Sequence, residues 1–279
     1  MVAEEFDCPF FTIDSWEDLD PSEFYFLNDS VIEDNLLEVQ EPSPVFSSAQ
    51  VKSYKYVLEK YALQEDPILL LGESGVGKTY AAKIIHEKSL RKGKPFISCS
   101  IADFNPFLIE SELFGCVKGA YTDAVEKAGI FEMAQGGILF LDELGELSLE
   151  NQAKFLGVLT TGKFSRVGSH VEIPLKCRLV FATDADLKKR VLEHTFSKQL
   201  YWRIEKFTVT IPPLRERRDE IRELSVGFAK AKGKVLSEDA IEFLERQDWP
   251  GNIRQLKSCI ERSAALCDSE IMSSGDLFL

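Results

Sequence analysis

The sequence predicts an α/β fold: a parallel sheet sandwiched by helices, followed by a small all-helical domain. Three observations predict it. Short apolar runs alternate with helical patterns between residues 67 and 211, the order that builds a parallel sheet covered on both faces. After Pro212 and Pro213 the pattern changes to helical stretches with no strand between them. The composition, 44% hydrophobic and 28% charged over 279 residues, is that of a globular protein long enough to bury a real core.

The elements follow in order. PILLLG (67–72) reads as a buried strand ending in a glycine turn, and 78–91 as a helix. FISC (96–99) and ILFLD (138–142) are further apolar strands, the second followed by a helical stretch from Leu149 to Leu159. RLVFAT (178–183) and FTVTI (207–211) complete the strands. Helices are expected over 219–231, 238–247 and 252–267.

Charge divides the chain further. Residues 1–50 hold 13 acidic side chains and no Lys or Arg, which leaves 33 of the chain's 46 acids against all 33 bases. We therefore expect an acidic arm (1–45), an α/β domain (46–212) and a helical domain (213–279). The arm also carries Phe6, Phe10, Phe11, Trp16, Phe24, Tyr25 and Phe26. Two readings stand: a solvated arm with short amphipathic pieces, or a segment that docks through its aromatics on the body or a partner. EPSP (41–44) reads as a linker.

The net charge of -13 argues against a protein that coats nucleic acid. No apolar run reaches the roughly 18 residues of a membrane span, and the acidic N-terminus is unlike a secretory signal. Six cysteines without a CxxC pair read as reduced thiols, consistent with a cytoplasmic location. His86, His170 and His194 are too scattered for a metal site.

Two motifs carry chemistry. Gly72, Glu73, Ser74, Gly75, Val76, Gly77, Lys78 and Thr79 fit GxxxxGK[ST] between an expected strand and an expected helix. Glycines let backbone N–H groups turn in around phosphates, and the helix N-terminus adds positive potential. Lys78 supplies charge for the β- and γ-phosphates, and the Thr79 hydroxyl can ligate Mg²⁺. About 60 residues further on, LFLDE ends an apolar strand in Asp142 and Glu143. Asp142 would hold Mg²⁺, and Glu143 would polarise the water that attacks the γ-phosphate.

At this point the chain resembles a known family, the AAA+ domains of bacterial sigma-54-dependent transcriptional activators. The strings that carry it are GESGVGKT (72–79), ESELFGCVKGAYTDA (110–124), GGILFLDEL (136–144), QAKFLGVL (152–159), FSRVG (164–168), LYWRI (200–204), IPPLRER (211–217) and WPGNIRQLK (249–257). The resemblance implies an AAA+ P-loop NTPase fold with a helical lid. It implies ATP and Mg²⁺ bound between neighbouring subunits of a ring, usually a hexamer, and ATP hydrolysis coupled to remodelling of sigma-54 RNA polymerase. Arg203 matches an arginine that reaches the neighbouring subunit's γ-phosphate, a role typically worth about 10³–10⁵ in rate. Arg254 matches the lid's sensor arginine. Gly119, Ala120, Tyr121, Thr122, Asp123 and Ala124 match the GAFTGA loop that engages sigma-54.

Four positions depart from the family pattern. Asp123 replaces a glycine in the loop. Ser100 stands where an asparagine restrains the catalytic glutamate, and its shorter side chain puts its reach to Glu143 in question. Asp184 replaces an asparagine after the RLVFAT strand, and Ser197 replaces a second interface arginine, with Lys198 beside it. The chain ends at Leu279, where the lid ends, so no DNA-binding domain is expected within it. Two rival readings stay open: a nucleotide-binding regulator with impaired hydrolysis, acting by protein contact, and an AAA+ remodeller of another client.

Overall fold

The computed structural model describes residues 11–12, 49–121 and 124–278. The chain forms two compact units. Among the described residues the first unit takes 11–12, 57–71, 81–121 and 124–210, and the second takes 49–56, 72–80 and 211–278.

The elements of the first unit begin with β1 (Phe11–Thr12), α1 (Ala49–Ala62, begun in the second unit), β2 (Ile68–Leu71) and α2 (Lys78–Lys88, likewise shared). There follow β3 (Phe96–Ser100), α3 (Ile109–Phe114), β4 (Gly115–Cys116), β5 (Lys127–Ala128), α4 (Ile130–Met133) and β6 (Ile138–Asp142). The unit continues through α5 (Leu149–Thr161), β7 (Lys163–Phe164), β8 (Ile173–Pro174), β9 (Arg178–Thr183), α6 (Leu187–Leu192), α7 (Lys198–Ile204) and β10 (Thr208–Thr210). The main sheet has six strands in the order β1-β3-β6-β9-β2-β10.

Its five longer strands are parallel, as expected of near-continuous apolar runs. β9 lies between two neighbours and all six of its residues are buried. The departure is β1, which comes from the acidic arm and pairs antiparallel with β3, Phe11 opposite Ser98 and Thr12 opposite Ile97. The arm's other aromatic positions lie outside the described residues. Because the longer strands are parallel, their carboxyl ends share one edge of the sheet. Register sets Ser100 opposite Asp142 and Leu71 opposite Thr183.

A buried cation secures the start of the unit. Arg178 is 2% exposed, and its guanidinium donates to the carbonyls of Tyr61, Ala62 and Asp66 at 2.6, 2.7 and 3.1 Å. Two of these are last-turn carbonyls of α1, which have no partner within the helix. Burial lowers the Arg178 pKa to about 10. In the core of the unit, Phe114, Phe131, Phe155 and Phe164 form an aromatic cluster whose contacting rings have centroids 5.1–6.2 Å apart.

The second unit holds α8 (Asp219–Ala231), β11 (Val235–Leu236), α9 (Glu238–Glu245), α10 (Asn252–Leu266) and β12 (Ile271–Met272). The three expected helices are present. The strand series does not end at β10, however: β11 and β12 pair in parallel beside the helices. Two-residue strands are too short to show alternation, so this ladder left no mark in the sequence. Trp249 anchors the helical core, 1% exposed, its indole N–H donating to the Leu244 carbonyl at 2.9 Å.

Phe131 is fully buried and contacts three other rings of the cluster. Phe131→Ala is therefore expected to destabilise the first unit by about 3–5 kcal/mol, the range for removing a buried aromatic. Denaturant unfolding followed by circular dichroism measures it, and a loss under 1 kcal/mol would contradict this packing.

Candidate functional site

The glycine loop follows β2 directly, and its residues 72–79 all lie in the second unit. Four consecutive loop residues are held by side chains and backbone of that unit. Glu73 accepts two bonds from the Arg215 fork, at 2.6 and 2.9 Å, and one from Asn252 Nδ2 at 3.1 Å. Asn252 Nδ2 also donates to the Ser74 carbonyl at 3.0 Å, and Arg254 donates to Ser74 Oγ at 2.9 Å. The Ile253 N–H bonds the Gly75 carbonyl at 3.0 Å. Arg217 donates to the Val76 carbonyl at 2.7 Å.

Two of these holding residues are buried and have further partners. Asn252 is fully buried in the left-handed region (φ 53°), which asparagine tolerates better than most residues, and its Oδ1 accepts from the Leu214 N–H at 2.8 Å. Arg217 is 3% exposed and also bonds the Pro212 carbonyl, Tyr54 Oη and Glu220. Burial, with Glu220 beside it, pushes the Tyr54 hydroxyl well above its ordinary pKa. None of these partners of the loop except Arg254 was singled out in the sequence. Asn252 sits in WPGN, where a turn is legible but its partner is not.

The loop fits an anion. Gly75 has φ +77°, and a Cβ there would lie 2.5 Å from the Gly251 carbonyl, so no larger residue fits this backbone. Lys78 is 8% exposed, and its ammonium bends back to the Gly72 and Glu73 carbonyls at 3.0 and 3.2 Å. A lysine has three N–H donors. A buried ammonium at a helix N-terminus, bonded to neutral carbonyls, suits a phosphate oxygen as its next acceptor.

The carboxylate pair belongs to the first unit. Asp142 ends β6, and its Oδ1 accepts from the Glu143 N–H at 2.9 Å. Glu143 adopts a left-handed backbone (φ 56°, ψ 41°), a conformation disfavoured for glutamate. Its carboxylate is not free: Ser100 Oγ donates to Glu143 Oε2 at 2.6 Å. The short serine therefore does reach. Register supplies the reach, because Ser100 pairs with Asp142 and the left-handed turn follows at the next residue. At the end of β9, Thr183 is buried and its hydroxyl accepts from the Ala185 N–H at 3.0 Å, while Asp184, the next residue, is exposed.

The remaining expected residues lie on α7 and on a hairpin. Arg203 is exposed on α7 and donates to the Leu159 carbonyl in the last turn of α5 at 2.8 Å. Ser197 caps α7, its hydroxyl accepting from the Leu200 N–H at 3.3 Å, while its own N–H bonds Gln152 Oε1 at 2.6 Å. Serine at this position thus has a structural use, as the N-cap of the helix that carries Arg203. Gly119, Ala120, Tyr121 and Ala124 lie in the loop that joins β4 to β5, with the Ala124 carbonyl accepting from the Gly119 N–H at 3.2 Å. Tyr121 is 43% exposed. Thr122 and Asp123 lie outside the described residues. Arg166 ties α4 to the segment entering β5, bonding Glu132 (2.7 and 2.8 Å) and Glu126 (2.8 Å), a role the FSRVG string did not disclose.

Comparison with known proteins decides the family. The sigma-54 interaction domain matches residues 45–210. The chain belongs to this family. A second match, the AAA+ ATPase lid domain, covers residues 215–278. The chain is thus an AAA+ ATPase domain of the sigma-54 activator type. Similar proteins include the Nif-specific regulatory protein of Rhizobium leguminosarum bv. trifolii, 41% identical over 84% of this chain and 68% of the relative. That of Azotobacter vinelandii is 42% identical over 76% of this chain and 42% of the relative. The chain thus spans much less than the full length of some relatives it matches. The fold matches NtrX from Brucella abortus in complex with ADP, with a TM-score of 0.75, 31% identity and coverage of 83% of this chain and 54% of that one. NtrX in complex with ATP gives 0.74 at the same identity, over 85% and 57%. Among the described residues no helix is long and apolar enough to cross a membrane.

Several carboxylates of the second unit are held ionised. Arg215, then Asn252, lower the Glu73 pKa to about 2. The Ser237 hydroxyl and the Ser274 backbone lower Asp239 to about 2, and Arg222 lowers Glu238. Lowered folded pKa values stabilise the fold above the unfolded values, and that stability is lost as pH falls through the folded values. The thermal midpoint of the protein should hold above about pH 5 and drop from about pH 4.5 toward 2. The drop should be shallower in Arg215→Ala; equal slopes would remove Glu73 from the cause.

Proposed function

We propose that this domain binds Mg-ATP at 72–79, assembles as a ring and uses hydrolysis to remodel a sigma-54 RNA polymerase complex. The observation that carries the reading is the Glu143 carboxylate, retained next to Asp142 and held by Ser100 at 2.6 Å. A nucleotide switch without hydrolysis has no use for that carboxylate. The same observation weighs against the impaired regulator, because the serine substitution leaves Glu143 with a restraining partner.

The roles follow from the donor chemistry. Loop N–H groups and Lys78 bind and orient the phosphates. Thr79 and Asp142 offer the hydroxyl and carboxylate oxygens that suit Mg²⁺, which when bound would neutralise phosphate charge. Glu143 accepts the proton of the attacking water once Ser100 releases it. Arg203, exposed on α7, suits action on a neighbouring protomer's nucleotide, and Arg254, already bonded to Ser74, suits reporting of loop occupancy. Tyr121 presents its ring at the 119–124 loop for contact with sigma-54. The family matches at 45–210 and 215–278 support a division into a nucleotide-binding domain (46–212) and a lid (213–279), preceded by the acidic arm (1–45). A transcription regulator of this kind works in the cytoplasm.

Steady-state Mg-ATP hydrolysis against protein concentration tests the reading. Turnover per subunit should rise with concentration, and Glu143→Gln should abolish it while leaving nucleotide bound. Binding without turnover at any concentration would sink the motor reading. Ser100→Ala should raise basal turnover about fivefold, if the bond that holds Glu143 back is worth roughly 1 kcal/mol. A fall in turnover would mean that Ser100 aligns Glu143 for reaction instead.

A further inference from the structure

The phosphate loop carries an anion of its own. Glu73 is the second residue of the loop, five positions before Lys78, and a loop that receives a polyanion gains nothing from a fixed carboxylate. The structure shows where that charge goes. The Arg215 guanidinium meets both Glu73 oxygens in a fork, at 2.6 Å to Oε1 and 2.9 Å to Oε2. Bidentate geometry of this kind orders the carboxylate as well as neutralising it.

Arg215 is itself placed by the loop's other partner. It lies in the turn Leu214–Glu216, whose first N–H is bonded by Asn252 Oδ1, and the same Asn252 side chain donates to Glu73 Oε2 at 3.1 Å. One buried amide thus fixes both the carboxylate and the backbone that carries its counter-charge. The ion pair is partly solvent-facing, with side-chain exposures of 40% and 42%. A pair this exposed makes only a modest contribution to stability. Its geometry therefore calls for another explanation.

We propose that Arg215 is a positioning residue of the nucleotide site: it pins the Glu73 carboxylate and cancels its charge, so that the loop can accept a nucleoside di- or triphosphate. The inference rests on the reading of 72–79 as the nucleotide loop. Without Arg215 the loop would present an uncompensated negative charge within about a Debye length of the phosphates. Removing the carboxylate instead would leave an unpaired guanidinium beside them. The two substitutions should act in opposite directions, which no loss of mere packing produces.

Binding of fluorescent ADP to the full chain, followed by anisotropy at low salt, tests this with wild type, Arg215→Ala, Glu73→Gln and the double variant. Arg215→Ala should raise the Kd roughly five- to tenfold, a loss that shrinks at high salt, and in steady-state Mg-ATP hydrolysis the same variant should lose in KM rather than kcat. Glu73→Gln should tighten binding about twofold or more, and the double variant should return to within about twofold of wild type. Wild-type affinity in Arg215→Ala would overturn the proposal. So would a double variant as weak as Arg215→Ala, since the loss would then come from loop geometry. Failure of the wild type itself to bind would refute the nucleotide reading, a result distinct from either.

Discussion

The phosphate loop keeps its shape because Asn252 is buried in a left-handed conformation with its amide fully used. Its Oδ1 takes the Leu214 N–H, and its Nδ2 reaches Glu73 and Ser74. An unpaired buried amide costs about 1–3 kcal/mol, so these groups are bound to one arrangement. Around that point the neighbouring contacts fall into order: Ile253 takes the Gly75 carbonyl, Arg254 the Ser74 hydroxyl and Arg217 the Val76 carbonyl. The loop is therefore shaped from outside as much as by its own glycines. The start of α10 grips three of the loop residues and Arg217 a fourth, so these elements are mechanically placed to feel what the loop holds.

The carboxylate end of β6 follows a different rule. Glu143 is held in a strained backbone conformation, and strain of that kind persists where the surroundings over-determine it. Here the surroundings are the Asp142 carboxylate on its N–H and the Ser100 hydroxyl on its side chain. Serine in place of a longer amide keeps the restraint by a shorter route. The same economy appears at Ser197, where the family pattern has an arginine and the serine caps the helix that carries Arg203. Substitutions that look like erosion in the sequence are thus structural fits in the fold.

How much was legible depended on distance along the chain. The strands over 68–71, 138–142 and 178–183 and the helices over 219–231 and 252–266 were readable, because apolar periodicity is local. The ladder of Val235–Leu236 with Ile271–Met272 was not, nor was the antiparallel pairing of Phe11–Thr12 with β3, since two-residue strands carry no period. The candidate site divides the same way. Residues 72–79, Asp142 and Glu143 announced themselves by motif, whereas Asn252, Arg215, Arg217 and Arg166 did not.

By itself the sequence determined the fold class, the phosphate loop and the paired carboxylates, because each is a contiguous string whose chemistry depends on neighbours a few residues away. Only the tertiary structure decided what holds them. Glu73 meets Arg215 across 142 positions and Asn252 across 179, and Ser100 meets Glu143 across 43. Over such separations contact is set by how strands and helices pack, and residue spacing carries no record of it.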